Sequence, residues 1–176
     1  MLRGRRSTGF ILALALVIGA GCASSSSNTG APSVHLPLRI VRDLRLPGRA
    51  TRFDYQSIDP THRRLYIAHL GDSTVVVVDL DRRRPIGTIG HVAEVHGVLA
   101  VPEINRVFAT ATGTNQLVAI DATTNQVVGR AATGDIPDGL AYDLVDDAVL
   151  VSNKNAGSVT VVNSNTLTNI GTTATR

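Results

Sequence analysis

The chain has 176 residues, 43% hydrophobic and 18% charged, with 16 Gly, 7 Pro and one Cys, which is room for one ordinary domain and leaves no disulfide framework. Aromatics are 3% and Lys154 is the single lysine among 17 basic residues, so a surface interleaving aromatic and basic side chains is not supplied and no nucleic acid is expected as a partner. Arg3, Arg5 and Arg6 lie in an N-terminal leader. Without Met1 to Gly21 the count is 14 basic against 14 acidic, and the case for electrostatic capture of polyanions or anionic lipid disappears.

Residues 1–21 read as a signal peptide: a basic start, the apolar run Phe10 to Ile18, then Gly19-Ala20-Gly21 ahead of Cys22. The run is too short to sit comfortably across a bilayer as a permanent helix, so cleavage is expected. The stretch resembles a bacterial lipoprotein signal with Cys22 as the lipidated residue. It departs from that pattern in carrying Gly19 where Leu is usual, and the alternative is an ordinary secretory signal in which Cys22 is incidental. Thr8 stands where the twin-arginine pattern has Phe, which favours the general export route. Residues 22–36, rich in Ser and small polar residues, read as a flexible tether. Ala23, in place of Asp, lacks the residue that by the same resemblance favours inner-membrane retention. The expected location is the bacterial cell envelope, lipid-anchored at the periplasmic face of the outer membrane.

The body, residues 37–176, repeats itself every 42 residues, in units of about 53–94, 95–136 and 137–176. Tyr66, Phe108 and Leu150 are equivalent; so are Asp79, Asp121 and Asn163, and Gly87, Gly129 and Gly171. Arg64 to His69 matches Arg106 to Ala111 and Ala148 to Asn153. Thr74 to Asp79 matches Gln116 to Asp121 and Ser158 to Asn163. These segments are rich in β-branched residues and bounded by Gly, Asn, Asp or Pro, as strands are. With Gln56 to Asp59, Pro85 to Ile89 and their counterparts, each unit holds four short strands. No run keeps helical periodicity long enough for an α-solenoid, and a Greek-key sandwich does not place equivalent residues at a fixed interval. The fold class is therefore all-β, a β-propeller of four-stranded blades with about three 42-residue repeats present.

Each unit resembles the YVTN repeat of YncE-like β-propeller proteins, through Pro137-Asp-Gly139, Leu150-Val-Ser-Asn153, and Gln116-Leu-Val-Ala-Ile-Asp121 with Thr124-Asn125. The signature itself is loose, appearing as Tyr66-Ile-Ala-His69, Phe108-Ala-Thr-Ala111 and Leu150-Val-Ser-Asn153. The resemblance implies a propeller whose complete members have seven blades, and three fall short of the about four to eight needed to close, so a truncated gene product or an incomplete sequence is expected, with assembly of several chains into a ring as the alternative. The same register places Leu44 opposite Ile86 and Val128, which predicts an outer strand over Ile40 to Pro47.

Catalysis has no positive local signal: nucleophile elbow, zinc-protease helix, P-loop and dinucleotide fingerprint are all missing from the sequence. No catalytic residue, metal or cofactor is expected. His91, Glu94 and His96 fit no standard zinc spacing. Arg82-Arg83-Arg84 reads as a solvated turn, and Asp79 and Asp121 as acceptors of Asx-type turn bonds. The repeat does align Asp54, His96 and Asp138, each leading into a first strand, where they form a candidate ligand site at the mouth of a central channel. The alternative is a local turn bond for each. The expected role is a membrane-anchored binding or scaffold module whose loops meet a protein or small molecule. The other reading is a fragment of a propeller enzyme, metal-dependent or lactonase-like, with a site in the channel.

Overall fold

The computed structural model describes residues 38–175; the leader, Cys22 and the tether lie outside the described residues. Twelve strands are formed among the described residues. In chain order they are β1 Gln56–Asp59, β2 Arg64–His69, β3 Thr74–Asp79, β4 Arg84–Ile89, β5 Val95–Val101 and β6 Arg106–Ala111. Then follow β7 Gln116–Asp121, β8 Val127–Ala132, β9 Pro137–Asp143, β10 Ala148–Asn153, β11 Ser158–Asn163 and β12 Asn169–Ala174. They make three antiparallel four-stranded sheets, β1 to β4, β5 to β8 and β9 to β12, each with its strands in sequence order.

The 42-residue period is also the period of the hydrogen-bonding register. Tyr66 pairs with Val77, Phe108 with Ala119 and Leu150 with Val161; those third-strand residues pair in turn with Gly87, Gly129 and Gly171. The irregularity repeats too, with a register shift at Val77/Val78, Ala119/Ile120 and Val161/Val162. Each shift precedes an Asx turn. Oδ1 of Asp79, Asp121 and Asn163 accepts the backbone N–H of Arg82 at 2.7 Å, Thr124 at 2.8 Å and Thr166 at 2.9 Å. These bonds bear out the turn role expected of the two aspartates. Arg82 and Arg83 lie in the turn as expected, whereas Arg84 opens β4.

Side-chain alternation along the middle strands assembles the core. Successive residues of a strand face opposite sides of the sheet, so Val107, Ala109, Ala111, Val118 and Ile120 face the first sheet and join Tyr66, Ala68, Val75 and Val77. Phe108, Leu117 and Ala119 point the other way and pack on Val149, Val151 and Val162 of the third sheet. The middle sheet is thus covered on both faces, which is why β6 and β7 read as nearly continuous apolar runs rather than alternating ones. Between sheets, β1 approaches β5 and β5 approaches β9, so the first strands gather on one side of the stack.

Ile40 to Pro47 do not form the expected strand. A strand is a relation to a neighbour, and no described backbone ladder runs beside this segment. Leu44 and Leu46 are half-buried while Ile40 is 91% exposed.

Candidate functional site at the first strands

The backbone around Asp54, His96 and Asp138 joins adjacent sheets in sequence. Tyr55 N–H donates to His96 O at 3.3 Å, linking the first sheet to the second. One step on, the buried Thr110 hydroxyl accepts the Gly97 N–H at 2.7 Å and donates to Asp138 O at 3.0 Å, linking the second to the third. Gly97 is required here by space, since a β-carbon on it would overlap Asp138 O. Asp54 is therefore placed beside the His96 segment and the His96 segment beside Asp138, through main chain in both cases.

Two of the three side chains also make a bond to a near neighbour in sequence. Asp54 Oδ2 pairs with Arg52 at 2.8 Å. His96 Nδ1 lies 2.9 Å from Glu94 O. A carbonyl only accepts, so Nδ1 carries the proton, and in the neutral ring Nε2 holds a free lone pair. This is the tautomer that a metal-binding or proton-accepting histidine uses. Among the described residues no group of three or more His, Cys, Asp or Glu is arranged to hold a metal ion.

The chain leading to Asp138 is strained. Ile136 adopts φ 54°, a left-handed conformation that a β-branched residue rarely takes, and it precedes a proline, which disfavours helical backbone in its own right. The bonds that hold it there are Ile136 N–H to Asn115 Oδ1 at 3.0 Å and Lys154 N–H to Ile136 O at 2.8 Å. Backbone of this kind persists only where its surroundings over-determine it.

A second polar cluster, not foreseen from the sequence, lies at the end of β2. His69 is fully buried, stacked on Phe53 at a 4.0 Å centroid separation, with Nε2 2.9 Å from Thr51 Oγ1. Its Nδ1 has no hydrogen-bond partner among the described residues and lies 3.7 Å from Asp72 Oδ2. Asp72 in turn accepts the Arg49 backbone N–H at 2.8 Å and the Arg49 Nε–H at 2.7 Å. The Arg49 backbone N–H is the main cause holding the Asp72 carboxyl below its ordinary value. The cluster fastens residues 49–53 to the first sheet. Its one trace in the sequence is the alignment of His69 with Asn153, which is also buried and bonded to a preceding loop through Gly134 N–H at 3.1 Å.

Three consecutive four-stranded antiparallel sheets, stacked face to face with their first strands gathered together, make the chain a partial β-propeller of three blades. The fold is shared with the hydrazine synthase of Kuenenia stuttgartiensis, at a TM-score of 0.64 and 14% identity, over 76% of this chain. The chain spans 37% of the length of that protein's chain. No family model matches the sequence, and no curated protein matches it.

Proposed function

We propose that the protein is an exported, lipid-anchored β-propeller lipoprotein of the YVTN-repeat, YncE-like kind, acting as a binding or scaffold module in the cell envelope. The observation that carries the binding reading is the hydrogen-bonded framework at the first strands. Thr110, Gly97 and the main chain of Tyr55, His96 and Asp138 fix adjacent blades against one another, so the side chains at that end stand on a rigid frame. Asp54 and His96 are held by short-range bonds, which suits a preformed polar surface for a protein or small-molecule partner. Cys22 supplies the anchor in this reading, and the polar tether holds the blades clear of the membrane.

Fractionating cells that express the chain and its Cys22→Ser variant tests the anchor. The variant is expected in the soluble periplasmic fraction, and its retention in the membrane fraction would overturn the lipoprotein reading. The second reading, a metal-dependent channel site, is favoured by one observation, the Nδ1–H of His96 donating to Glu94 O, which in the neutral ring leaves Nε2 as the unprotonated nitrogen. Titration with Zn2+ beside a His96→Ala variant separates the two. Equal binding by both proteins removes His96 from any metal site and leaves the scaffold reading.

A further inference from the structure

The balance of 14 basic against 14 acidic residues beyond the leader conceals where they lie. Residues 40–53 hold four basic residues and one acidic, and residues 54–89, the rest of the first blade, hold five of each. Residues 90–132 hold two basic and three acidic, and residues 133–175 one and five. The formal charge therefore runs from +3 in the segment that enters the fold, through 0 and −1, to −4 on the third blade. Neutrality is the sum of two ends of opposite sign.

Residues 40–53 are a strap fastened to the first blade. Val76 and Val78 alternate with Val75 and Val77, which face the second sheet, so they point to the opposite side. They are nevertheless 0% and 3% exposed, because residues 41–44 lie beside them. At its other end the strap is held by Arg49 on Asp72, by Thr51 and Phe53 on His69, and by the Gly71 N–H donating to Arg52 O at 3.0 Å. Its inner side is thus occupied, and its outer side carries the charge. Arg42, Arg45, Arg49 and Arg52 are all exposed. Arg49 and Arg52 pair with Asp72 and Asp54, whereas Arg42 and Arg45 make no ion pair among the described residues. Arg83, in the turn between β3 and β4 and also exposed, borders the same groove as Arg42, Val41 and Leu44. Beside these cations Ile40 and Val41 are 91% and 63% exposed.

We propose that the outer side of the strap is a contact surface for an anionic phospholipid bilayer. Arg42, Arg45 and Arg83 meet the headgroup phosphates, and Ile40 and Val41 enter the boundary between headgroups and acyl chains. Charge complementarity selects an anionic surface. The bare aliphatic side chains select lipid over nucleic acid, whose bases call for aromatic platforms. Stacked sheets lie about 10 Å apart, so the acidic third blade is about 20 Å from the first, beyond the Debye length of about 10 Å at ordinary salt. A surface under the strap therefore meets the positive end alone, and the negative end turns away from it. The expectation that neutrality removes any attraction to anionic lipid holds for the chain as a whole and not for this segment. The contact does not rest on acylation of Cys22. In an acylated chain it is a second attachment, placed between the tether and the first blade, that orients the stack on the membrane.

The test uses residues 22–176 carrying Cys22→Ser, which retain all twelve strands and have neither the apolar leader nor an acyl group. Binding is measured by co-sedimentation with phosphatidylcholine vesicles, with and without phosphatidylglycerol. It is expected only where phosphatidylglycerol is present, and should weaken as salt is raised. Arg42→Gln, Arg45→Gln and Arg83→Gln combined should weaken it about a hundredfold, at about fivefold for each arginine near an anionic surface. Ile40→Ser with Val41→Ser should weaken it severalfold and leave its salt dependence as it was. Lys154→Glu with Asn155→Asp lowers the charge of the third blade by the same three units and should change binding by less than about twofold. All these positions are exposed, and circular dichroism confirms the strands in each variant. An equal loss in the third-blade variant would show a response to net charge alone and overturn the proposal. Equal binding to both kinds of vesicle, or to neither, would do the same, as would tighter binding to a single-stranded oligonucleotide than to the vesicles. Because this chain carries no acyl group, these outcomes leave the lipoprotein reading untouched, and the fractionation of Cys22→Ser leaves this proposal untouched.

Discussion

Thr110 and Asp138 are joined across a blade boundary: the buried Thr110 hydroxyl donates to Asp138 O at 3.0 Å while accepting the Gly97 N–H at 2.7 Å. One side chain satisfies two main-chain groups on two blades. Thr110→Val leaves both unpaired in a dry interface and should destabilise by about 1–3 kcal/mol, whereas Thr110→Ser should lose much less. Urea denaturation of the two variants beside the parent measures the difference.

Gly97 tests the same boundary by volume. Its missing β-carbon is what admits Asp138 O, so Gly97→Ala has to push the second and third blades apart, at about 1–3 kcal/mol. Gly139→Ala, whose β-carbon would meet only Ser152 Oγ at 3.1 Å, should cost less in the isolated chain. The comparison is read from the same denaturation curves.

Ile136 predicts a gain. Replacing it with Asn removes a β-branched side chain from left-handed backbone and should stabilise the chain by about 1 kcal/mol, read as a higher urea midpoint. A loss of stability would show that the half-buried Ile136 side chain contributes more by packing than its backbone costs.

The acid limb of stability should carry Asp72, Asp79 and Asp121. Each has its carboxyl below its ordinary value of 3.8, first through a backbone N–H, from Arg49, Arg82 and Thr124 respectively. A carboxyl with a lowered folded value stabilises the fold when ionised. Its contribution is present above 3.8 and is lost as pH falls through the still lower folded value. Asp72→Asn should flatten the fall in urea midpoint between about pH 4 and pH 2, and leave the slope above pH 6 unchanged.

The fold was legible wherever a local pattern repeats. The 42-residue interval places β2, β3, β6, β7, β10 and β11 on their residues because each pair is a tight hairpin whose third strand, β3, β7 or β11, is closed by an Asx turn. The first strands β5 and β9 begin earlier than the tetrads equivalent to Gln56–Asp59, at Val95 and Pro137. The part that was not legible depends on contacts distant in sequence. Ile40 to Pro47 carry the right register for an outer strand, but register does not supply a neighbour. The cluster of His69, Thr51, Phe53 and Asp72 required knowing that residues 49–53 fold back on β2. At the candidate site the alignment of Asp54, His96 and Asp138 was readable from the repeat. The tautomer of His96 was not, because it depends on which carbonyl Nδ1 meets.

The central claim is that the repeat builds blades that stack face to face, with the middle blade covered on both sides. The direct measurement is the cost of truncating two equivalent residues, Phe108 and Leu150, at a protein concentration where the chain is monomeric. Phe108 is wholly buried between the second and third blades, and Leu150 occupies the same place on the open face of the third. Phe108→Ala should cost about 3–5 kcal/mol and Leu150→Ala well under half of that. Equal costs, or a larger cost at Leu150, would contradict the stacked arrangement.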